Sequence, residues 1–350
     1  MKKSLLALAA LTAFAGVASA QSSVTLFGIV DLSARGVDNG IGTRSTINQD
    51  GNSSSRLGFR GVEDLGGGLK AGFWIEGALS ADTGNATGQT WQRRSTVSLM
   101  GGFGEIRLGR DYTPTFWNHT VFDPFGTNGV GSQTNLMVQQ GATQNGSGGG
   151  GTGGVNVLGG TSTTLVRADN TVGYFLPSLG GLYGQVQVAL GEGATGNEYM
   201  GGRIGYAAGP VNVAVAYGET KDSIGAADLK AMNVGASFNL GFMTLMGQFH
   251  EYKAGSAKLT NYMAGVTVPV GAMTLKASYG MSEVKPINRE ATQIAVGMVY
   301  DVSKRTALYV HGSIVDNDAG LRFVAGQGGK TNGVGGFKST SYEVGVRHSF

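Results

Sequence analysis

Arginines and lysines stand at alternate positions of short segments whose intervening positions are apolar. Leu57 and Phe59 alternate with Arg56 and Arg60, and Leu69, Ala71, Phe73 and Ile75 alternate with Lys70, Trp74 and Glu76. Val97 and Leu99 set Arg94 on the opposite parity, Ile106 and Leu108 do the same for Arg107, and Arg35 shares the polar parity of the first segment. Successive side chains of an extended strand point to opposite faces, so this spacing gathers basic groups on one face of neighbouring strands. Such a face does electrostatic work: it attracts and orients anions without making or breaking a covalent bond. Arg93 and Arg110 fall on the apolar parity near segment ends.

Covalent chemistry finds little support. Cysteine is absent, which excludes thiol catalysis and thiolate metal sites. His119, His250, His311 and His348 are scattered without ligand spacing. His250 and His311 share the polar parity on separate segments, but no Ser/His or Asp/His motif surrounds them. Glu63 and Asp64 lie beside a turn, where pairing with nearby basic side chains is the simpler reading. No cofactor is implied, and no basic tract points to nucleic acid.

The elements that position the basic face are strands. Val211, Val213, Val215 and Tyr217 alternate with Asn212, Ala214, Ala216 and Gly218; Met273, Leu275, Ala277 and Tyr279 alternate with Thr274, Lys276, Ser278 and Gly280. The same period of two recurs in Met232–Phe238 and in Ile294–Tyr300. Sixteen such segments fall near 23–36, 54–63, 69–80, 92–100, 104–112, 169–177, 182–191, 198–208, 211–220, 230–240, 243–253, 258–270, 272–283, 290–302, 306–316 and 340–350. Many reach the roughly 9–11 residues that a tilted strand needs to cross a bilayer. Only a closed barrel satisfies the backbone of strands at membrane depth. The pattern therefore predicts an all-β fold, a transmembrane antiparallel β-barrel of 16 strands. Tyr217, Tyr279 and Tyr300 suit an interfacial girdle. The polar inner face predicts a wet lumen rather than a packed core. Sixty-two glycines against 6 prolines, without a period of three, fit curved sheets and tight turns.

Turns such as Asp64–Gly68, Gly101–Gly104, Ser178–Gly181 and Ala208–Pro210 alternate with longer polar loops, and an even strand number brings both termini to one side. One connection stands apart: Tyr112 to about Ala168 carries no strand pattern and contains the tract Gly146–Gly154. At the start, Lys2 and Lys3, the apolar stretch Leu5–Val17 and Ala18-Ser19-Ala20 form the pattern of a secretory signal peptide over residues 1–20. Residues 21–350 then form a single barrel domain. Loss of Lys2 and Lys3 lowers the net charge of +3 by two.

Several stretches resemble the general porins of Gram-negative β-proteobacteria. They are Ser23–Asp31 (SVTLFGIVD), Ser55–Ala71 (SRLGFRGVEDLGGGLKA), Gly102–Pro114 (GFGEIRLGRDYTP), Asp123-Pro124-Phe125-Gly126 and the terminal Tyr342–Phe350 (YEVGVRHSF). The resemblance covers the whole of residues 21–350. It implies a trimeric, sixteen-stranded outer-membrane barrel whose third external loop folds into the pore and constricts it. It also implies a basic ladder opposed by acidic loop residues, with Asp123 as the match. On this reading Arg35, Arg56, Arg60, Lys70, Arg94 and Arg107 form the basic wall of the constriction. Phe350, ending a strand with Tyr342, Val344 and Val346 on the lipid parity, is the signal read by the outer-membrane assembly machinery. The remaining partners are outer-membrane lipid, lipopolysaccharide, small ions and hydrophilic solutes. A substrate-specific porin, a non-conducting structural barrel and a barrel enzyme are the alternatives.

Overall fold

The computed structural model describes residues 23–84, 90–137, 164–192, 198–221, 227–326, 330 and 335–350. The signal-peptide segment 1–20 and the tract Gly146–Gly154 lie outside them. Strands β1 (Ser23–Asp38), β2 (Thr43–Asn48), β3 (Arg56–Gly66), β4 (Leu69–Ala78), β5 (Arg94–Gly101), β6 (Gly104–Tyr112), β7 (Arg167–Phe175) and β8 (Leu182–Ala189) make up the first half. The second half holds β9 (Tyr199–Ala208), β10 (Val211–Thr220), β11 (Leu229–Asn239), β12 (Thr244–Ala254), β13 (Ala257–Val270), β14 (Met273–Lys285), β15 (Arg289–Asp301), β16 (Thr306–Asn317) and β17 (Lys338–Ser349). All belong to one antiparallel sheet that closes on itself through β1 and β17.

Seventeen strands make 16 staves. β1 pairs with β3 along its lower part, from Ser23↔Val62 to Ile29↔Arg56, and with β2 along its upper part, from Ser33↔Asn48 to Asp38↔Thr43. β2 and β3 are thus one stave interrupted at residues 49–55, where the sequence pattern indicated a strand only from about 54. Asp31 explains the interruption. Its carboxylate accepts from the Asn52 and Ser53 amides at 3.2 and 2.8 Å, and its own amide donates to Ser55 Oγ at 2.9 Å. The seam ends at Phe350, whose amide and carbonyl pair with Gly28 at 3.0 and 3.1 Å. The Phe350 ring covers Gly28, where a Cβ would lie 2.3 Å from it.

The outward face is the apolar one. Val213, Val215, Tyr217, Leu275, Tyr279, Ile294, Val296, Tyr342, Val344 and Val346 are all exposed there. Among the described residues no helix is long and apolar enough to cross a membrane.

The connection after β6 turns into the barrel. Pro114 opens helix α1 (Pro114–Val121), at a position where its missing N–H costs nothing. The helix packs on the inner face of β9, β10 and β11. Irregular backbone inside a barrel needs partners, and lumen-facing side chains on successive strands supply them. Asn233 Nδ2 donates to the Thr115 carbonyl at 2.8 Å, Gln248 Nε2 to His119 at 3.0 Å and Asn261 Nδ2 to Leu136 at 3.1 Å. Ser282 Oγ donates to Leu136 at 2.9 Å, and Gln293 Nε2 reaches the carbonyls of Gly131 and Ser132 at 3.0 and 3.1 Å. Gly235 leaves the space that Phe122 fills; a Cβ there would lie 2.0 Å from the ring.

The wet-lumen expectation holds for only part of the interior. Near the external ends of β11–β16, the inward residues Ala231, Tyr252, Leu259, Val284, Ala291 and Val315 form an apolar core with Leu136 and with Leu321 and Phe323 of the β16–β17 connection. Full burial of a Leu or Phe side chain stabilises by about 1.5–3 kcal/mol, so these contacts fasten two loops inside the barrel. Gly235→Val should overpack the Phe122 site, cost the docked loop about 1–3 kcal/mol and leave the barrel folded. Circular dichroism should be unchanged, while limited proteolysis cuts the β6–β7 connection faster and open-channel current becomes noisier. Unaltered proteolysis and noise would show that the loop does not depend on this contact.

Candidate pore constriction

The basic wall is built on β3–β6. Cross-strand partners share a face, and the rungs Arg60–Trp74–Thr96, Glu76–Arg94 and Ser98–Arg107 all point inward. Trp74 lies between two guanidinium groups: Arg60 Cζ is 5.0 Å from its ring centre and Arg94 Cζ 4.5 Å. Arg60 also lies 5.2 Å from the Phe27 ring. Such contacts hold a cation by its attraction to the ring face without cancelling its charge. Arg60 is exposed and has no ion-pair partner among the described residues.

The other arginines are partly neutralised. Arg107 bonds Glu105 at 2.9 Å and Asp111 at 2.5 Å, with its guanidinium 4.0 Å from the Phe175 ring centre. Arg94 Nε lies 3.6 Å from Asp111 Oδ1. Arg56 sits 3.4 Å from Glu76 and donates to Ser53 Oγ at 2.8 Å. Arg93 departs from its apolar parity because it precedes β5 rather than lying in it, and its Nε reaches Glu76 Oε1 at 2.6 Å. The wall thus sets Arg56, Arg60, Arg93, Arg94 and Arg107 against Glu76, Glu105 and Asp111, leaving positive charge in excess.

Three expected constriction residues lie elsewhere. Arg35 is fully enclosed, bonding Glu343 at 2.7 Å and Asp50 at 2.9 Å. Glu343 in turn accepts from the Val130 amide at 3.1 Å and pairs with His311, so Arg35 holds the infolded loop instead of facing the pore. Lys70 is the second residue of β4, beside the short Gly66–Gly68 turn and well below Trp74. Asp123 does not oppose the basic wall. It is buried, and its oxygens accept from the amides of Phe125, Thr127 and Gln133 at 2.9, 3.1 and 3.1 Å, which fixes the loop's own shape. Burial pushes its pKa up while those three N–H donors pull the other way.

Arg110 stays at the outer edge, bonded to Asp169 at 2.5 Å. The register shift between β6 and β7 does not swing it inward; the extra residue is on β7, where Asn170 takes φ +54°. No acidic residue other than Asp123 occurs between Thr113 and Ala168 in the sequence, so the described part of the loop, residues 113–137, brings no free carboxylate to the lumen. Burial drives the His119 pKa down to about 3, which leaves that loop residue neutral as well.

Sequence parity missed Arg93, the stacking role of Trp74 and the amide ladder beneath the loop. It also passed over Lys276, which lies inside the barrel 5.6 Å from the Phe125 ring centre. Alternation gave Trp74 and Lys276 their inward side, but nothing in the sequence gives their contacts.

The chain matches a family model described as Gram-negative porin over residues 7–320. It is 40% identical to outer membrane porin protein 32 of Delftia acidovorans, an alignment spanning 100% of both chains. It is 27% identical to the major outer membrane protein P.IB of Neisseria meningitidis serogroup B, again over 100% of each. Among solved structures, an anion-selective porin from Comamonas acidovorans superposes with a TM-score of 0.80 at 37% identity, covering 94% of this chain and 100% of that one. OmpT of Vibrio cholerae shares the fold at a TM-score of 0.65 and 15% identity, over 94% of this chain and 99% of that one. A closed barrel with an infolded third loop and a lumen walled by arginines is thus joined to whole-length similarity, and the chain belongs to the family of Gram-negative porins, channel proteins of the outer membrane.

Proposed function

We propose that this porin is a general diffusion channel for small hydrophilic solutes and ions, with a preference for anions. One observation carries the preference: Arg60 faces the lumen unpaired, on a wall with more arginines than carboxylates, across from a loop that presents no free acid. In a narrow pore with low-dielectric walls, such an excess raises the local concentration of anions. The anion-selective Comamonas porin, as a relative of similar fold, supports the same reading. A substrate-specific channel would show saturable conductance block by its solute, and no feature of the wall favours that. The channel performs no catalysis.

The same reading makes residues 1–20 a cleaved signal peptide and Phe350 the residue engaged by the assembly machinery. It makes the functional unit a homotrimer in contact with outer-membrane lipid and lipopolysaccharide.

Under a salt gradient, the single-channel reversal potential should have the sign of anion preference. Arg60→Ala should move it furthest toward zero. Arg94→Ala and Arg107→Ala should move it less, because each is paired with a carboxylate, and Lys70→Ala least, because it lies at the short-turn end of β4, away from Trp74. An unchanged reversal potential in Arg60→Ala would remove the wall as the source of selectivity. Detergent-extracted protein should migrate near three times the monomer mass until heated; monomeric migration without heating would rule out the stable trimer.

A further inference from the structure

The outward face of β11–β14 changes character in three successive rungs toward the external loops. The lowest, Val234–Phe249–Tyr262–Met281, is apolar, with the Phe249 and Tyr262 rings 5.4 Å apart. Next comes Met232–Glu251–Thr260–Glu283. The last rung before the turns is Lys230–Lys253–Lys258–Lys285, four lysines directly opposite one another on neighbouring strands. Their outward direction is fixed by the adjoining rung Ala231–Tyr252–Leu259–Val284, which belongs to the internal apolar core.

Like charges directly opposite in a sheet destabilise it, so this row is an unexplained cost for the barrel alone. Glu251 forms an ion pair with Lys258. Lys230, Lys253 and Lys285 are exposed and have no ion-pair partner among the described residues. At a strand spacing of about 4.8 Å the row spans about 14 Å. Short turns, 255–256 and 286–288, place it at the open edge of the wall.

The aromatic rung marks the boundary between hydrocarbon and headgroups. The lysines stand four residues further along each strand, about 13 Å at most, which is headgroup height. A ligand that meets both rungs has an apolar part below and anionic groups above. We propose that Lys230, Lys253, Lys258 and Lys285 bind the phosphate groups of an outer-leaflet glycolipid of the lipopolysaccharide class, whose acyl chains lie on Val234, Phe249 and Tyr262. The inference deepens the lipid contact proposed above and rests on it; the pore reading is independent.

The test measures retention of purified lipopolysaccharide by the folded full-length protein in detergent, using native mass spectrometry. The variants are wild type, the triple variant Lys230→Gln/Lys253→Gln/Lys285→Gln, and a control, Lys304→Gln/Arg305→Gln, on the opposite rim. Unchanged conductance and heat-dependent migration confirm that each variant is folded. Wild type and control should retain the lipid, and the triple variant should bind it on the order of 100-fold more weakly. Dephosphorylated lipid should bind wild type as weakly as intact lipid binds the triple variant. Equal retention by wild type and triple variant would overturn the lysine row while leaving the lipid contact standing. No retention by wild type would overturn both. Displacement of the lipid by inorganic phosphate at millimolar concentration would overturn the glycolipid assignment in favour of a general anion site.

Discussion

A backbone amide inside a bilayer has no water to bond, and this constraint organises the whole chain. Every strand except β2, which pairs with β1 alone among the described residues, finds a partner on both sides, and the seam ends where Gly28 and Phe350 exchange hydrogen bonds. Closure at that point requires a glycine beneath a terminal aromatic ring. Closure also sorts the side chains, because the lipid must meet the apolar parity. The arginines of β3–β6 are therefore driven inward, where water solvates them; a charge on the lipid face at mid-depth would cost about 2–4 kcal/mol.

The same requirement governs the infolded loop. Its carbonyls cannot be left bare within the barrel, and Asn233, Gln248, Asn261, Ser282 and Gln293 take them up strand by strand. One half of the interior thereby becomes a polar interface and a small apolar core. The other half keeps its arginine-rich wall, on which Arg60 alone of the five arginines has no carboxylate partner among the described residues. Arg35 and Arg60 show the division: both have lumen parity, yet one is locked between Glu343 and Asp50 and the other rests on aromatic rings with its charge available.

Period-two alternation made the strands, their faces and the inward direction of Arg56, Arg60, Arg94 and Arg107 legible from sequence. It could not make partners legible. Arg35 and Glu343 are separated by most of the chain and meet only because the barrel closes. Asp123 looked like a free loop carboxylate, and its role depends on a local turn whose amides point at it. Residues 43–48 were missed because Asp31 and the serine-rich stretch 52–55 break one stave in two. Asn and Gln on lumen parity read equally well as wetted or as docked, and Leu259 and Val284 pack inward against loop residues whose positions alternation does not give.

The central claim is an aqueous lumen whose accessible wall carries excess positive charge. Because the sequence has no cysteine, Ser98→Cys places a single thiol on that wall, directly across from Arg107. Its reaction rate with an anionic and with a cationic methanethiosulfonate reagent of similar size tests the claim most directly. The anionic reagent should react several-fold faster, with the difference shrinking as salt screens the wall. Equal rates, a faster cationic reagent, or no reaction with either would contradict the account.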